Sequence, residues 1–241
     1  MLVMEESAFI LPVVNQRLHL AQRGTELFHG YWCAVGGKSK ERSPEQANKM
    51  SLSHLVTKPW GSQLSVNDRI RESMGREYGL ETAIREACEE LYSNRRYPED
   101  FSPEEFANPA LLGFIDDTYK IGDRERAAHN CLFMVQLLNR DFNFSAREVK
   151  DFKPLEEIPV GAPIVLMTRL SLINMRVLIE CGLFDCHKDN YDVAYLGKQL
   201  QREDLILSQE ESLALGERKG ISLMGIMAYN ILTERMPLNL K

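Results

Sequence analysis

The chain has 241 residues, 44% of them hydrophobic and 27% charged. It is long enough to bury a sizeable core and too ordinary in composition for a disordered or fibrous protein. Its net charge of −6 weighs against a nucleic-acid-coating role, which needs a basic surface, but leaves room for nucleotides whose phosphates are met through a bound cation.

Five cysteines, odd in number and mostly inside apolar runs, predict reduced thiols rather than a disulfide framework. Cys181, Cys186 and His187 lie close in sequence but have no second ligand pair, so ordinary thiols are favoured over zinc. The N-terminus has no basic segment ahead of its apolar run, and no run approaches the ~20 residues needed to span a bilayer. A cytoplasmic protein with no membrane partner is expected.

In chain order, AFILPVV (Ala8–Val14) predicts a strand, Asn15-Gln16 a turn, and Leu18 to Gln22 a second strand. YWCAVGGK is a further short β-prone run closed by Gly36-Gly37. From Ser39 to about Ser65 the pattern dissolves, as in an inserted loop with a short helix around Pro44–Leu55. Helical spacing returns at Val66, and a main helix is expected from Leu80 to Ser93.

PALLGFIDDTYK and NCLFMVQLL predict strands joined by the charged hairpin KIGDRERAAH, and FKPLEEI a strand end running into a turn. PIVLMTRLSLINMRVLIECG is a helix ending on Gly182. Beyond it, YDVAYLG reads as a short strand, followed by a charged helical segment and an apolar, methionine-rich one. This order predicts an α/β (α+β) fold in which a mixed sheet is packed between helices. The expected division is a domain over 1–182, with an insertion at about 39–66, and a mostly helical C-terminal extension over 183–241.

The stretch Ile84 to Tyr92, IREACEELY, concentrates the chemistry. Glu86, Glu89 and Glu90 stand at i, i+3 and i+4, which share a helix face and repel one another there. Oxygen-rich clusters of this kind suit Mg²⁺ or Mn²⁺. The plain alternative is a solvated acidic face. Against it, R-E-x-x-E-E fixes four positions and should arise by chance in only roughly 0.3% of chains this long.

Glu77, seven intervening residues and then REACEE match the Nudix box, G-x5-E-x7-R-E-U-x-E-E-x-G-U with U aliphatic. GYWCAVGGK resembles that family's strand into its first motif glycine, here Gly37, and LHLAQRG resembles the arginine-ended strand before the box. The resemblance runs over about residues 8 to 182 and is sharpest from Glu77 to Glu90. Two departures stand out. Gly37 and Glu77 are separated by 39 residues where the motif has five, an insertion of 34; Tyr92 and Ser93 occupy the motif's glycine and aliphatic positions.

What the resemblance implies is Mg²⁺- or Mn²⁺-dependent hydrolysis of the pyrophosphate of a nucleoside diphosphate linked to another group. Glu86, Glu89, Glu90 and the Gly36 carbonyl would hold the metal, and Arg85 and Glu77 would pair to hold the loop against the helix. Glu148, before FKPLEEI, would be the base or a further ligand, with Glu125 as second choice. Arg23 and Lys38 would approach the phosphates, and Trp32, Tyr31 or Phe28 could stack a base, with core packing as the plain alternative for each aromatic ring. The implied partner is a nucleotide-type small molecule. Nucleic acid is not expected, although capped RNA stays open, and a homodimer is common for the fold. The alternative is a nucleotide-sensing regulatory module without turnover. Prenyl diphosphate isomerisation is disfavoured, because WCAVGGK lacks the histidines that chemistry needs around Cys33.

Overall fold

A computed structural model of the chain describes residues 3–25, 28–41, 77, 79–121, 124–182, 184 and 191–211. The first strand, β1 (Val3–Val14), turns at Asn15-Gln16 into β2 (Arg17–Arg23). Both turn residues have positive φ, 52° and 63°, the backbone of a two-residue hairpin turn whose twist suits the flanking strands. After β2 come β3 (Trp32–Cys33) and β4 (Val35–Lys38), then helix α1 (Gly79–Leu91). Strands β5 (Phe106–Ile121) and β6 (Arg124–Leu137) follow, so most of the charged hairpin is itself paired strand. The described chain continues with β7 (Val149–Pro154), helix α2 (Leu166–Glu180) and helix α3 (Val193–Gln199).

Strand β1 organises a mixed sheet. One edge runs parallel to β6 from Val3 to Val13, and β6 in turn pairs antiparallel with β5. Its other edge pairs antiparallel first with β4, Ser7 to Ile10, and then with β2 at Val13 and Val14. Past that point β2 diverges to pair with β7 and β3.

Helices cover both faces, which explains why β1 and β6 read as unbroken apolar runs rather than alternating ones. Ala8, Ile10 and Val14 with Cys131, Phe133 and Val135 point toward α1, where Leu80, Ala83, Ile84, Ala87, Cys88 and Leu91 meet them. Leu11 and Val13 with Leu132 and Met134 point the other way, toward Leu170, Ile173, Val177 and Leu178 of α2. The α1 set follows the i, i+3, i+4, i+7 stripe of a half-buried helix.

Two expectations are corrected or completed here. YDVAYLG is not a strand but helix α3: Asp192 caps it by accepting the Tyr195 amide at 2.8 Å. Leu196 and Leu200, one turn apart, enter the α2-side core with Tyr191, Leu205 and Leu207, so this part of the extension shares the domain's core. Helix α2 ends at Glu180, two residues before the expected Gly182, whose φ of 65° fits a glycine just past a helix terminus. The expected helix around Pro44–Leu55 and nearly all of the two C-terminal helical segments lie outside the described residues. No described helix is long and apolar enough to cross a membrane.

Candidate active site

Glycines 36 and 37 let three chain segments meet. A Cβ on Gly36 would lie 2.2 Å from the Ala8 carbonyl oxygen and 2.6 Å from the Phe9 Cα, so β4 can pair this closely with β1 only without one. A Cβ on Gly37 would lie 2.4 Å from a Glu86 carboxylate oxygen. The glutamate-bearing face of α1 therefore rests directly on the glycine backbone.

Behind that contact, Glu77 and Arg85 form a buried pair, with side chains 0% and 5% exposed. Arg85 Nε donates to Glu77 Oε1 at 2.7 Å and Nη2 to Oε2 at 3.2 Å. Nη2 also donates to the Lys38 carbonyl at 2.8 Å, tying α1 to the end of β4. Glu77 is held further by the Thr82 hydroxyl at 3.0 Å and the Lys40 amide at 3.2 Å, while its own amide donates to the Lys40 carbonyl. Burial lowers the Arg85 pKa, but the bond to Glu77 and the charges of Glu86, Glu77 and Glu89 outweigh it, and the net shift is upward.

The three helix glutamates separate. Glu86, Glu90 and Glu148 line one cavity of about 360 Å³ together with Gly36, Gly37, Lys38 and Arg23. Glu89 is not part of that lining; its half-exposed carboxylate bonds Arg85 Nη1 at 3.1 Å and Lys40 Nζ at 3.3 Å. Burial raises the Glu86 pKa, against the pull of Arg85, which bonds it at 2.6 Å. Glu90, 7% exposed, is pushed up to about 8 by burial and by the charges of Glu86, Glu148 and Glu89, with Arg23 opposing. Its carboxylate has no hydrogen bond or ion pair among the described residues. A carboxyl buried without a partner is costly to ionise, which is why its pKa rises.

Glu86, Glu90 and Glu148 put carboxylate oxygens around one cavity, the donor type that a hard divalent ion takes. Among the described residues, no three of these groups are already drawn together around a single point.

Of the other candidates, Trp32 is corrected. It is 5% exposed, sits in the α2-side core and bonds Pro163 through its backbone amide at 2.9 Å, so its ring is not available for stacking. Phe28, 47% exposed, lines the cavity instead, with Tyr31 beside it at 5.8 Å between ring centroids. Cys33 also lines the cavity, but burial pushes its thiol up to about 12, leaving it a poor nucleophile. Glu125 lies in β6 opposite Lys120, and its side chain is outside the described residues. Tyr92, where the Nudix pattern has glycine, is buried among Phe101 and Phe142, and its hydroxyl donates to the Asn139 carbonyl at 2.8 Å.

Sequence reasoning did not anticipate the rest of the cavity lining, which includes Ser7 and Phe9 of β1, Leu132 of β6, and Val165, Met167, Thr168 and Ser171 at the start of α2. The available signal was two hydroxyl residues, Thr168 and Ser171, at i, i+3 near the start of a mostly apolar helix.

No family model matches the chain, and no curated protein does. Among solved structures, the chain is similar to a MutT Nudix hydrolase from Burkholderia pseudomallei, at 15% identity and a TM-score of 0.40, covering 70% of this chain and 95% of that one. It is also similar to the Nudix domain of Shewanella oneidensis NrtR complexed with ADP ribose, at 13% identity and 0.39, covering 73% and 88%. A third is the E. coli dihydroneopterin triphosphate pyrophosphohydrolase, at 14% identity and 0.36, covering 70% and 94%.

Proposed function

We propose that this chain is a Nudix-type pyrophosphohydrolase that uses Mg²⁺ or Mn²⁺ to hydrolyse the pyrophosphate bond of a nucleoside diphosphate linked to another moiety. ADP-ribose, a dinucleotide, a nucleotide sugar and a nucleoside triphosphate all have that bond. The observation that carries the reading is Glu90, a buried carboxylate with no hydrogen bond or ion pair among the described residues, at a cavity shared with Glu86, Glu148, Gly36 and Gly37.

In this reading Glu86, Glu90 and the Gly36 carbonyl hold the cation. When bound, the ion polarises phosphoryl oxygens and lowers the pKa of the attacking water. The chain supplies the rest. Arg23 and Lys38, at the same cavity, orient the phosphate oxygens. Glu148 takes the proton of the attacking water. The Glu77–Arg85 pair acts through position alone, fixing the helix against β4 so that Glu86 and Glu90 keep their aim. Glu89, engaged by Lys40 and Arg85, contributes less than Glu90.

A regulatory nucleotide-binding module is the second reading. It draws on Glu89, whose bonds to Lys40 and Arg85 leave two helix carboxylates at the cavity rather than three. A hydrolysis screen over diphosphate-linked nucleotides with Mg²⁺ or Mn²⁺ separates the two. Turnover abolished by EDTA supports the hydrolase; nucleotide binding that persists in EDTA with no product from any substrate supports the module.

A further inference from the structure

Among the described residues, Glu89 is the helix glutamate that bonds two cations. Both of its oxygens lie 3.1 Å from Arg85 Nη1, and they lie 3.4 and 3.3 Å from Lys40 Nζ. Lys40 differs from a surface lysine on a free loop. Its amide donates to Glu77 Oε2 and its carbonyl accepts the Glu77 amide, each at 3.2 Å. Glu77 is itself buried and bonded to Arg85 and Thr82. The exposed Lys40 side chain therefore starts from an anchored main chain within reach of Glu89. Anchoring lowers the entropy cost that leaves most exposed ion pairs with little net stabilisation.

The two cations on Glu89 are not equivalent. Arg85 is committed elsewhere, to Glu77, to the Lys38 carbonyl and to Glu86. Lys40 Nζ has Glu89 as its one hydrogen-bond partner among the described residues. Because Arg85 Nη1 bonds Glu86 at 2.6 Å as well, the Glu86 and Glu89 carboxylates meet at a single nitrogen. At i and i+3 they share a helix face, yet only Glu86 lines the cavity. Glu89 is thus the next carboxylate that a further cation would meet, and the Lys40 ammonium is the charge such an ion must displace.

We propose that Lys40 is a built-in counter-ion that holds Glu89 back from metal. The site then takes one divalent ion at Glu86 and Glu90, and admits a second, at Glu89, only against the lysine. The proposal rests on the hydrolase reading for the first ion. Lys40 is a positioning residue in this scheme: it acts through Glu89 and sets how many cations the site holds at a given concentration.

The test counts ions rather than turnover. Mn²⁺ is titrated into the full, metal-free chain at pH 8, and the free ion is read by its EPR signal. Two binding steps are expected, the second weaker. Lys40→Gln keeps both main-chain bonds to Glu77 and should tighten the second step about two- to fivefold, the range an exposed ion pair supplies. The first step should move less, and Lys40→Arg should keep the natural value. In a Glu89→Gln background the second step is lost, and adding Lys40→Gln restores none of it. A second step unchanged by Lys40→Gln, or one that survives Glu89→Gln, overturns the inference. If metal-dependent turnover is intact in that case, the inference falls alone; a chain that binds no Mn²⁺ at all overturns the hydrolase reading with it.

Discussion

Glu90 shares α1 with the buried Ile84, Ala87 and Leu91, and burial with neighbouring carboxylates pushes its pKa up to about 8 from an ordinary 4.5. In the unfolded chain the same group loses its proton near 4.5, so between these values the folded state binds more protons. Metal-free stability therefore falls as pH rises from about 4.5 to about 8, and the loss is complete above that range. A divalent ion competes with this proton, so cation affinity, and activity with it, rises across the same window. Urea titrations in EDTA at a series of pH values check the first point, and Glu90→Gln should flatten the profile. The Glu77–Arg85 pair gives a second prediction. Glu77→Gln removes one of the carboxylates that Arg85 bonds, leaving Glu86 and Glu89, and should cost about 1–3 kcal/mol in urea unfolding. The spacing of Glu77 and Arg85 was legible in the sequence. The separation of Glu89 from Glu90 was not read, although the apolar stripe Leu80, Ile84, Ala87, Leu91 places position 90 nearer the buried side than position 89.

Among the elements, the strands and α1 were legible because their apolar positions follow one period or form an unbroken run. Helix α3 was not. Val193 and Tyr195 alternate with smaller residues and suggest a strand, but the Asp192 cap and the one-turn spacing of Leu196 and Leu200 decide for a helix. Two substitutions measure what that helix contributes. Asp192→Ala removes the cap and should cost about 1 kcal/mol. Gln199 accepts the buried Leu18 amide at 2.9 Å and donates to the Gln16 carbonyl at 3.2 Å, so Gln199→Ala strands a β2 donor and should cost about 1–3 kcal/mol. Chemical denaturation reads both. The cavity wall on α2 escaped the sequence for a related reason: its residues serve the core and the cavity at once, and only tertiary packing shows which surface each one meets.

At the scale of the whole molecule, α1 and α2 clamp a mixed sheet, and the cavity opens where β4, α1 and the start of α2 converge. The long separation between Gly37 and Glu77 is compatible with this arrangement because its ends meet: the Glu77 amide bonds the Lys40 carbonyl, and the Glu77 carboxylate accepts the Lys40 amide. Loop-closure cost rises only slowly with length. The central claim is that the Glu90 cavity cuts a diphosphate through a bound cation. Its most direct test compares product release by the natural chain and by Glu90→Gln, on a panel of diphosphate-linked nucleotides at saturating Mg²⁺ and pH 8. The account predicts turnover by the natural chain and a loss of about 100-fold or more in the variant. Equal rates for the two proteins, or no product from the natural chain with any substrate, would contradict it.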